Sequence, residues 1–137
     1  MKRNLLIAAV TVIAFSLASC GGSGSPDPVK MAKEFAEAYV NADYDKCNKM
    51  MEDEEFTPSS KMSSMEKAVV KAMKEEAQKM KYIFTVDTES TSVSEDDADI
   101  WFDVTSGSDP DFKDIFKVEL EKDEDTGKWY VDRYKSF

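Results

Sequence analysis

The sequence contains no histidine, and this absence excludes several kinds of chemistry. Histidine is the commonest general base, a usual zinc ligand and the partner of serine or cysteine in nucleophilic pairs. Basic residues are also in the minority, with 18 lysines and arginines against 28 aspartates and glutamates. Nucleic acid and anionic membrane surfaces are expected to repel a chain with this charge and no basic stripe. We therefore expect no nucleic-acid partner, and we assign no catalytic residue, metal or cofactor.

The first 19 residues have the pattern of a targeting segment. Lys2 and Arg3 supply a positive start, and residues 5–15 are apolar apart from Thr11. A membrane-spanning helix requires about 20 apolar residues, so this run is too short to cross a bilayer. The pattern therefore predicts a signal peptide over residues 1–19.

The residues Leu17-Ala18-Ser19-Cys20 resemble the lipobox of bacterial lipoproteins. This resemblance implies cleavage before Cys20, a diacylglyceryl group on its sulfur and acylation of the new amino terminus, with palmitate among the acyl groups. Residues 20–27 are then the lipidated cysteine and a flexible tether, and residues 28–137 are one domain. The alternative is an ordinary secreted protein in which Cys20 is removed or forms a disulfide with Cys47.

The residues after Cys20 also indicate in which membrane of the cell envelope the protein is expected. In the lipoprotein sorting rules that the segment resembles, an aspartate after the lipidated cysteine retains the protein in the inner membrane, and an early acidic cluster exports it to the surface. Gly21 and the Gly-Ser stretch behind it match neither signal. The resemblance implies a lipid-anchored protein of the cell envelope, on the periplasmic face of the outer membrane, with surface exposure left open. With Cys20 lipidated, Cys47 has no intramolecular partner, which excludes a disulfide framework.

Apolar residues recur at helical spacing in the first half of the mature chain. Residues 28–42 are predicted to form a first helix, and residues 44–51 a short second helix. A third helix, capped by Ser59 or Ser60, is predicted to run to about Met80. Its apolar stripe comprises Met62, Met65, Val69, Ala72, Met73 and Met80.

After Lys81 the apolar period changes from 3.6 to 2, which predicts four strands. Turn-forming residues at 94–97, 107–110 and 123–127 separate these strands. Helices followed by an antiparallel meander predict an α+β fold in which N-terminal helices pack on a four-stranded sheet. The alternating apolar residues are Tyr82, Phe84 and Val86, then Ile100, Phe102 and Val104, then Phe116, Val118 and Leu120, and finally Trp129 and Val131.

Two segments, residues 27–51 and 127–134, resemble small bacterial lipoproteins of unknown function with a nuclear-transport-factor-2-like, or cystatin-like, domain. The resemblance implies a cone in which a curved antiparallel sheet wraps the helices and leaves a pocket at its wide end. Some members of that superfamily are isomerases or dehydratases with Asp and His in the pocket, but this chain has no histidine to take that role. The implied pocket-lining residues are Phe35, Tyr39, Met65, Phe84, Phe102, Trp129 and Arg133.

Sulfur-containing residues in the helical half have competing interpretations. Cys47 shares its helix face with Tyr44 and Met51, so a core position is favoured over a reactive thiol. Met62 and Met65 are soft ligands that suit Cu(I), but no other soft ligand lies near them in the sequence. Core packing, or an adaptable apolar pocket, is therefore favoured for the methionines.

Charged residues in the sheet half also have two interpretations each. The acidic runs at residues 95–99 and 123–125 could bind Ca²⁺, but they match no complete calcium loop, and solvated turns are favoured. Asp103 alternates with core residues and is expected to face away from the core, where it cannot act as a pocket acid. Arg133 falls on the same predicted side as Trp129 and Val131, so it either meets an anionic ligand in the cone or lies exposed at the strand end.

The leading functional hypothesis is a non-catalytic binding domain, attached to the membrane through its lipid anchor. Its partner is either a small apolar molecule or an envelope protein. One alternative is a pocket enzyme that uses an Asp or Glu as acid–base, and another is a purely structural adaptor lipoprotein. An apolar pocket favours the small ligand, a buried carboxylate favours the enzyme, and a filled core with an exposed apolar patch favours a protein partner.

Overall fold

The computed structural model describes residues 27–137, so the predicted signal peptide and Cys20 lie outside the described residues. Within this range no helix has the length and apolar character needed to cross a membrane. The helical elements are α1 (Pro28–Val40), α2 (Tyr44–Lys49), a 3₁₀ helix (Ser59–Lys61) and α3 (Ser64–Met80). The strands are β1 (Tyr82–Val86), β2 (Ser92–Val93), β3 (Asp97–Ser106), β4 (Lys113–Lys122) and β5 (Trp129–Lys135). This order of helices and strands confirms the predicted α+β fold.

The sheet is antiparallel, with neighbouring strands in the order β1-β3-β4-β5 and with β2 paired to β3. Phe102 lies opposite Val86 on one side and Phe116 on the other, so the apolar residues of adjacent strands share one face. The four predicted strands are confirmed. The short strand β2 was not predicted, because two residues are too few to show an alternation of apolar and polar side chains.

A β-bulge interrupts the pairing of β4 with β5. Glu119 pairs with Arg133 but Leu120 pairs with Val131, which leaves Asp132 as an extra residue. The extra residue reverses the alternation, so Val131 is buried and Tyr134, rather than Arg133, packs against the core. Arg133 therefore does not share the inward side of its strand, and of its two predicted positions the exposed one is observed.

Helix α1 fixes the helical layer on the apolar face of the sheet. The Asp27 side chain accepts a hydrogen bond from the Val29 amide at 2.9 Å, and Pro28 occupies the first turn. The helix ends at Val40, two residues earlier than predicted, and Ala42 has a left-handed φ of 54°. Its buried residues meet the sheet in one core, whose fully buried large side chains are Phe35, Phe102, Phe116, Ile100, Leu120, Val104, Val118, Val131 and Cys47.

Helix α3 begins later than predicted, and its packed face is rotated from the predicted stripe. Ser63, rather than Ser59 or Ser60, caps it through a capping box with Glu66. Ala77 is the buried residue of the helix. The predicted core stripe is only partly buried, since its members Met65 and Val69 are 78% and 54% exposed. The least exposed residues of the helix are Val70, Met73, Ala77 and Met80, so the contacting face shares only Met73 and Met80 with the predicted stripe.

Candidate functional site

Six aromatic side chains fill the space between the helices and the sheet at one end of the core. Tyr39 lies at their centre, with its ring centroid 5.0 Å from that of Tyr134 and 5.6 Å from that of Phe116. Tyr44 and Phe56 stack on each other with their ring centroids 4.6 Å apart. Aromatic rings at these separations are in direct contact. We call Phe35, Tyr39, Tyr44, Phe56, Phe116 and Tyr134 the aromatic cluster.

Five of the seven residues predicted to line a pocket lie in or against the core. Phe35 and Phe102 are fully buried, Phe84 and Trp129 are nearly so, and Tyr39 is half-buried at the centre of the aromatic cluster. Phe84 packs edge-on against Phe102, with their ring centroids 6.0 Å apart. Phe35 and Tyr39 stack with their ring centroids 6.5 Å apart, so both ring pairs among these residues are packing contacts of the core.

The other two predicted lining residues are exposed. Met65 is 78% exposed in the first turns of α3, because that helix contacts the domain through a different face. The Arg133 side chain is 74% exposed, and its Nη2 lies 2.9 Å from Oε1 of Glu119 on the outer face of the sheet. Their assignment to a pocket lining is thus wrong, for Arg133 because of the bulge at Asp132.

Two open depressions lie on the surface of residues 27–137. One, of about 400 Å³, lies beside α2, and the other, of about 280 Å³, lies between the C-terminal ends of α1 and α3. Ligand sites are usually concave and mostly apolar, whereas the first depression is lined by Asp45, Asn48, Lys49, Glu54, Ser59 and Ser60. The second is lined by Glu37, Val40, Asn41, Ala77, Lys81, Tyr82 and Phe84.

The described carboxylates are all at least partly exposed to solvent. In residues 27–137 the buried polar residue is Asn48, whose amide exchanges hydrogen bonds of 2.9 and 3.1 Å with the backbone of Phe56. A hydrogen bond from the Ser59 hydroxyl lowers the pKa of Asp45, and one from Lys117 lowers that of Glu119. A pocket acid needs burial that raises its pKa, and these two groups have the opposite environment.

The two acidic runs, residues 95–99 and 123–125, lie in or beside turns. The Asp123 carboxylate accepts hydrogen bonds from the amides of Asp125 and Thr126 at 2.7 and 3.0 Å, and Gly127 closes that turn with φ +71°. Within the described part of the chain, no three Cys, Asp or Glu side chains are grouped to hold a metal ion. Asp103 is exposed on the outer face of the sheet, as its alternation with core residues predicts.

The Cys47 thiol is fully buried, which confirms its predicted core position. Its Sγ lies 4.0 Å from the Phe35 carbonyl oxygen, to which the thiol donates. Burial raises the thiol pKa to about 12 from an ordinary value of 9.0. The folded state therefore keeps a proton that the unfolded state loses, so this group makes the protein less stable as the pH rises from 9 towards 12.

We expect iodoacetamide at pH 8 to alkylate Cys47 about 10³-fold more slowly in the native protein than in urea. The pKa difference alone lowers the thiolate fraction by that factor, because each pKa unit is tenfold. The rate is measured by mass spectrometry in the Cys20→Ser variant, where Cys47 is the remaining cysteine. Equal rates in the native and unfolded states would place the thiol at the surface.

The outer face of the sheet carries a ladder of charged side chains that none of the helices in residues 27–137 covers. Lys117 Nζ lies 2.9 Å from Glu119, 3.5 Å from Asp99 and 5.1 Å from the centroid of the Trp101 ring. Glu119 in turn pairs with Arg133 at 2.9 Å. Such exposed pairs contribute about 0–1 kcal/mol each, so the ladder mainly keeps the uncovered face soluble. The alternating Lys117 and Glu119 were the sequence signal for this face.

No family model matches the chain, and no curated protein matches it. Among solved structures, it is similar to Rd1NTF2_05 with five substitutions, at 18% identity and a TM-score of 0.46, over 77% of this chain and 92% of the other. It is also similar to RPA3114, a SEC-C motif containing protein from Rhodopseudomonas palustris, at 12% identity and a TM-score of 0.47, over 90% of this chain and 88% of the other. The α+β fold itself is established by the chain's own helices and antiparallel sheet.

Proposed function

We propose that this protein is a lipid-anchored, non-catalytic binding domain of the bacterial cell envelope that recognises its partner through its surface. The supporting observation is the combination of a filled interior with an exposed apolar helix face. The aromatic cluster occupies the interior, whereas Met65 and Val69 of α3 are exposed to solvent. A filled core with exposed apolar side chains suits a macromolecular partner better than a small apolar ligand.

The enzyme alternative has less support. A pocket acid–base mechanism needs a carboxylate in an apolar cavity, and no Asp or Glu in residues 27–137 is buried. The sequence offers no histidine to take its place. The adaptor alternative shares its lipid anchor and its domain with the proposed function. It differs only in the envelope components that the protein would link.

The proposed location is the periplasmic face of the outer membrane. The lipobox-like residues before Cys20 supply the anchor, and Gly21 lacks the retention signal. The seven residues 21–27 reach at most about 25 Å when fully extended, at 3.3–3.6 Å each. The domain is thereby held close to the bilayer, where its partners are envelope components.

The anchor is tested by Cys20→Ser, which we expect to move the protein from the membrane fraction to the soluble fraction or to leave its signal peptide uncleaved. Three acyl chains hold a protein far more firmly than one chain, which binds only reversibly. The matched control is Cys47→Ala, which removes the other cysteine and is expected to stay in the membrane fraction.

Protease added to intact cells is expected to leave the wild type uncut.

Two outcomes would contradict this proposal separately. If wild type and Cys20→Ser both fractionate as soluble, the anchor is wrong. If protease cuts the wild type on intact cells, the anchor stands but the protein faces the outside.

A further inference from the structure

Strand β1 forms one edge of the sheet, and its neighbour within the sheet is β3. At the two ends of β1 the hydrogen bonds to β3 and its following turn involve the backbone of Lys81 and of Asp87. In an antiparallel pair the backbone groups of successive residues point to opposite sides, so the odd-numbered residues of β1 bond to β3. The N–H and C=O groups of Tyr82, Phe84 and Val86 therefore point away from the sheet.

These outward backbone groups have no partner in the described part of the chain. Apart from the ladder with β3, no backbone hydrogen bond within residues 27–137 reaches Tyr82, Phe84 or Val86. Phe84 is only 4% exposed, and yet its outward N–H and C=O are left without a protein partner. Backbone groups with so little access to water usually have a hydrogen-bonding partner, so this edge is suited to receive a further strand.

The other edge of the sheet, β5, is protected against such pairing. The Val131 amide donates to the Met50 carbonyl at 2.7 Å, so the chain after α2 covers the start of this edge. The bulge at Asp132 and the charged Arg133 follow. Bulges and charged side chains are common means by which edge strands avoid new partners. Residues 82–86 contain no bulge, proline or charged residue, so β1 is the edge open to pairing.

The depression of about 280 Å³ lies beside this edge. Tyr82 and Phe84 form one wall of it, and the C-terminal ends of α1 and α3 form the other. Val40 and Ala77 are apolar residues of that second wall. A strand added to β1 places alternate side chains on the side of the depression. Strand addition beside a groove is a recurring mode of peptide recognition, in which the backbone supplies affinity and the groove selects side chains.

The surroundings of β1 are acidic. Residues 82–111 contain nine aspartates and glutamates and no lysine or arginine. Asp103 is exposed on the outer face of β3 next to β1, and Glu89 is exposed in the turn that follows β1. In the depression itself Glu37 and Lys81 balance each other. A second copy of β1 therefore brings acidic segments together, whereas a basic strand meets complementary charge.

We propose that β1 is a strand-addition site for an extended segment of another protein, in which apolar and basic residues alternate. The segment pairs antiparallel to β1, with its apolar side chains towards the depression and its basic side chains on the outer face near Asp103 and Glu89. The proposal rests on the proposed function in one respect, since it takes the partner to be a protein of the cell envelope.

The test measures the affinity of the full protein, extracted in a non-ionic detergent, for the peptide Lys-Val-Lys-Val-Lys-Val-Lys with blocked ends and a neutral dye. Fluorescence anisotropy reports the binding. Two matched peptides have the same charge and carry backbone N-methyl groups, either on the three valines or on three of the lysines. In the proposed pairing the valine amides face β1 and the lysine amides face solvent. We expect methylation of the valines to weaken binding about tenfold or more, and methylation of the lysines to leave it nearly unchanged.

Charge variants of the protein test the second part of the proposal. Asp103→Asn and Glu89→Gln should each weaken binding of the unmethylated peptide about twofold, within the range of cross-strand charge pairs. The matched control is Asp125→Asn, which removes the same charge from the turn between β4 and β5, at the end of the sheet where β1 does not pair. It should leave the affinity unchanged.

Several results would overturn the proposal. Equal affinities of the two methylated peptides, or no binding of the unmethylated one, would exclude strand addition at β1. An equal loss in Asp125→Asn would reduce the attraction to the overall charge of the protein. Self-association that grows with protein concentration and blocks the peptide would make a second copy the occupant. These results leave the lipid anchor standing, because mass spectrometry of the same extracted protein decides the anchor independently of peptide binding.

Discussion

A chain that ends at Gly127 is expected to lose its cooperative thermal unfolding transition. The truncation deletes all of β5, which pairs with β4 over residues 117–122. It removes the buried side chains of Trp129 and Val131, and burial of such side chains contributes about 1.5–3 kcal/mol each. It also removes Tyr134 from the aromatic cluster. Since a domain of this size is stable by about 5–15 kcal/mol, these losses are comparable with the whole stability.

The measurement is circular dichroism during heating, and the control is a chain that ends at Lys135. The control keeps β5 complete and loses only Ser136 and Phe137. The ring centroid of Phe137 lies 5.2 Å from that of Tyr82. It is expected to unfold cooperatively at a somewhat lower temperature. A cooperative transition in the chain ending at Gly127 would show that β5 is dispensable for the fold.

The substitution Phe116→Ala is expected to destabilise the protein by about 3–5 kcal/mol, the usual cost of removing a buried phenylalanine. Phe116 is fully buried, and its ring contacts those of Tyr39, Phe84 and Tyr134. Urea denaturation measures the loss as a lower midpoint with an unchanged slope. The matched control is Ile115→Ala, because Ile115 is the next residue in β4 but lies 45% exposed on the other face.

The same variant tests whether the native interior is full. The ring removed from Phe116 leaves an apolar cavity, and such cavities bind small apolar molecules such as benzene. We expect benzene to raise the midpoint temperature of Phe116→Ala and not that of the wild type. Saturable benzene binding by the wild-type interior would restore the small-ligand hypothesis, and an equal loss of stability in Ile115→Ala would contradict the packing described for Phe116.

The sheet was predictable because its sequence signal is local. Apolar residues alternate along β3 and β4, and one face of each strand is buried, so the pattern fixes which side chains point inward. The turns between the strands are marked by residue types that favour turn conformations of the backbone. Gly127, with its positive φ, is one of them. Helix α1 was predictable for the same reason, since Asp27 and Pro28 define its start.

The features that the sequence did not reveal depend on tertiary packing. The bulge at Asp132 adds one residue to β5 and reverses the side to which Arg133 points, and no residue type marks it. Helix α3 has apolar residues over a wide arc, and only the position of α1 and the sheet decides which half is buried. The apolar pattern therefore predicts an interior position for Met65, which is 78% exposed.

The packing of the interior also depends on contacts that the sequence does not show. The pocket came from a resemblance, which predicts the arrangement of elements and not the volume of the side chains between them. Tyr44 and Phe56 come from α2 and from the following loop, and Phe56 stands outside any periodic pattern. Their stacked rings pack with those of Tyr39 and Tyr134 between the helices and the sheet.

The most direct test of an anchored envelope domain is the intact mass of the protein extracted from its own membranes with detergent. The account predicts a chain that begins at Cys20 and is heavier than its polypeptide by a diacylglyceryl group and one further acyl chain. Fragmentation should place all of the added mass on the first residue. A mature chain that begins elsewhere, or that begins at Cys20 without lipid, would contradict the anchor and with it the proposed attachment to the envelope membrane.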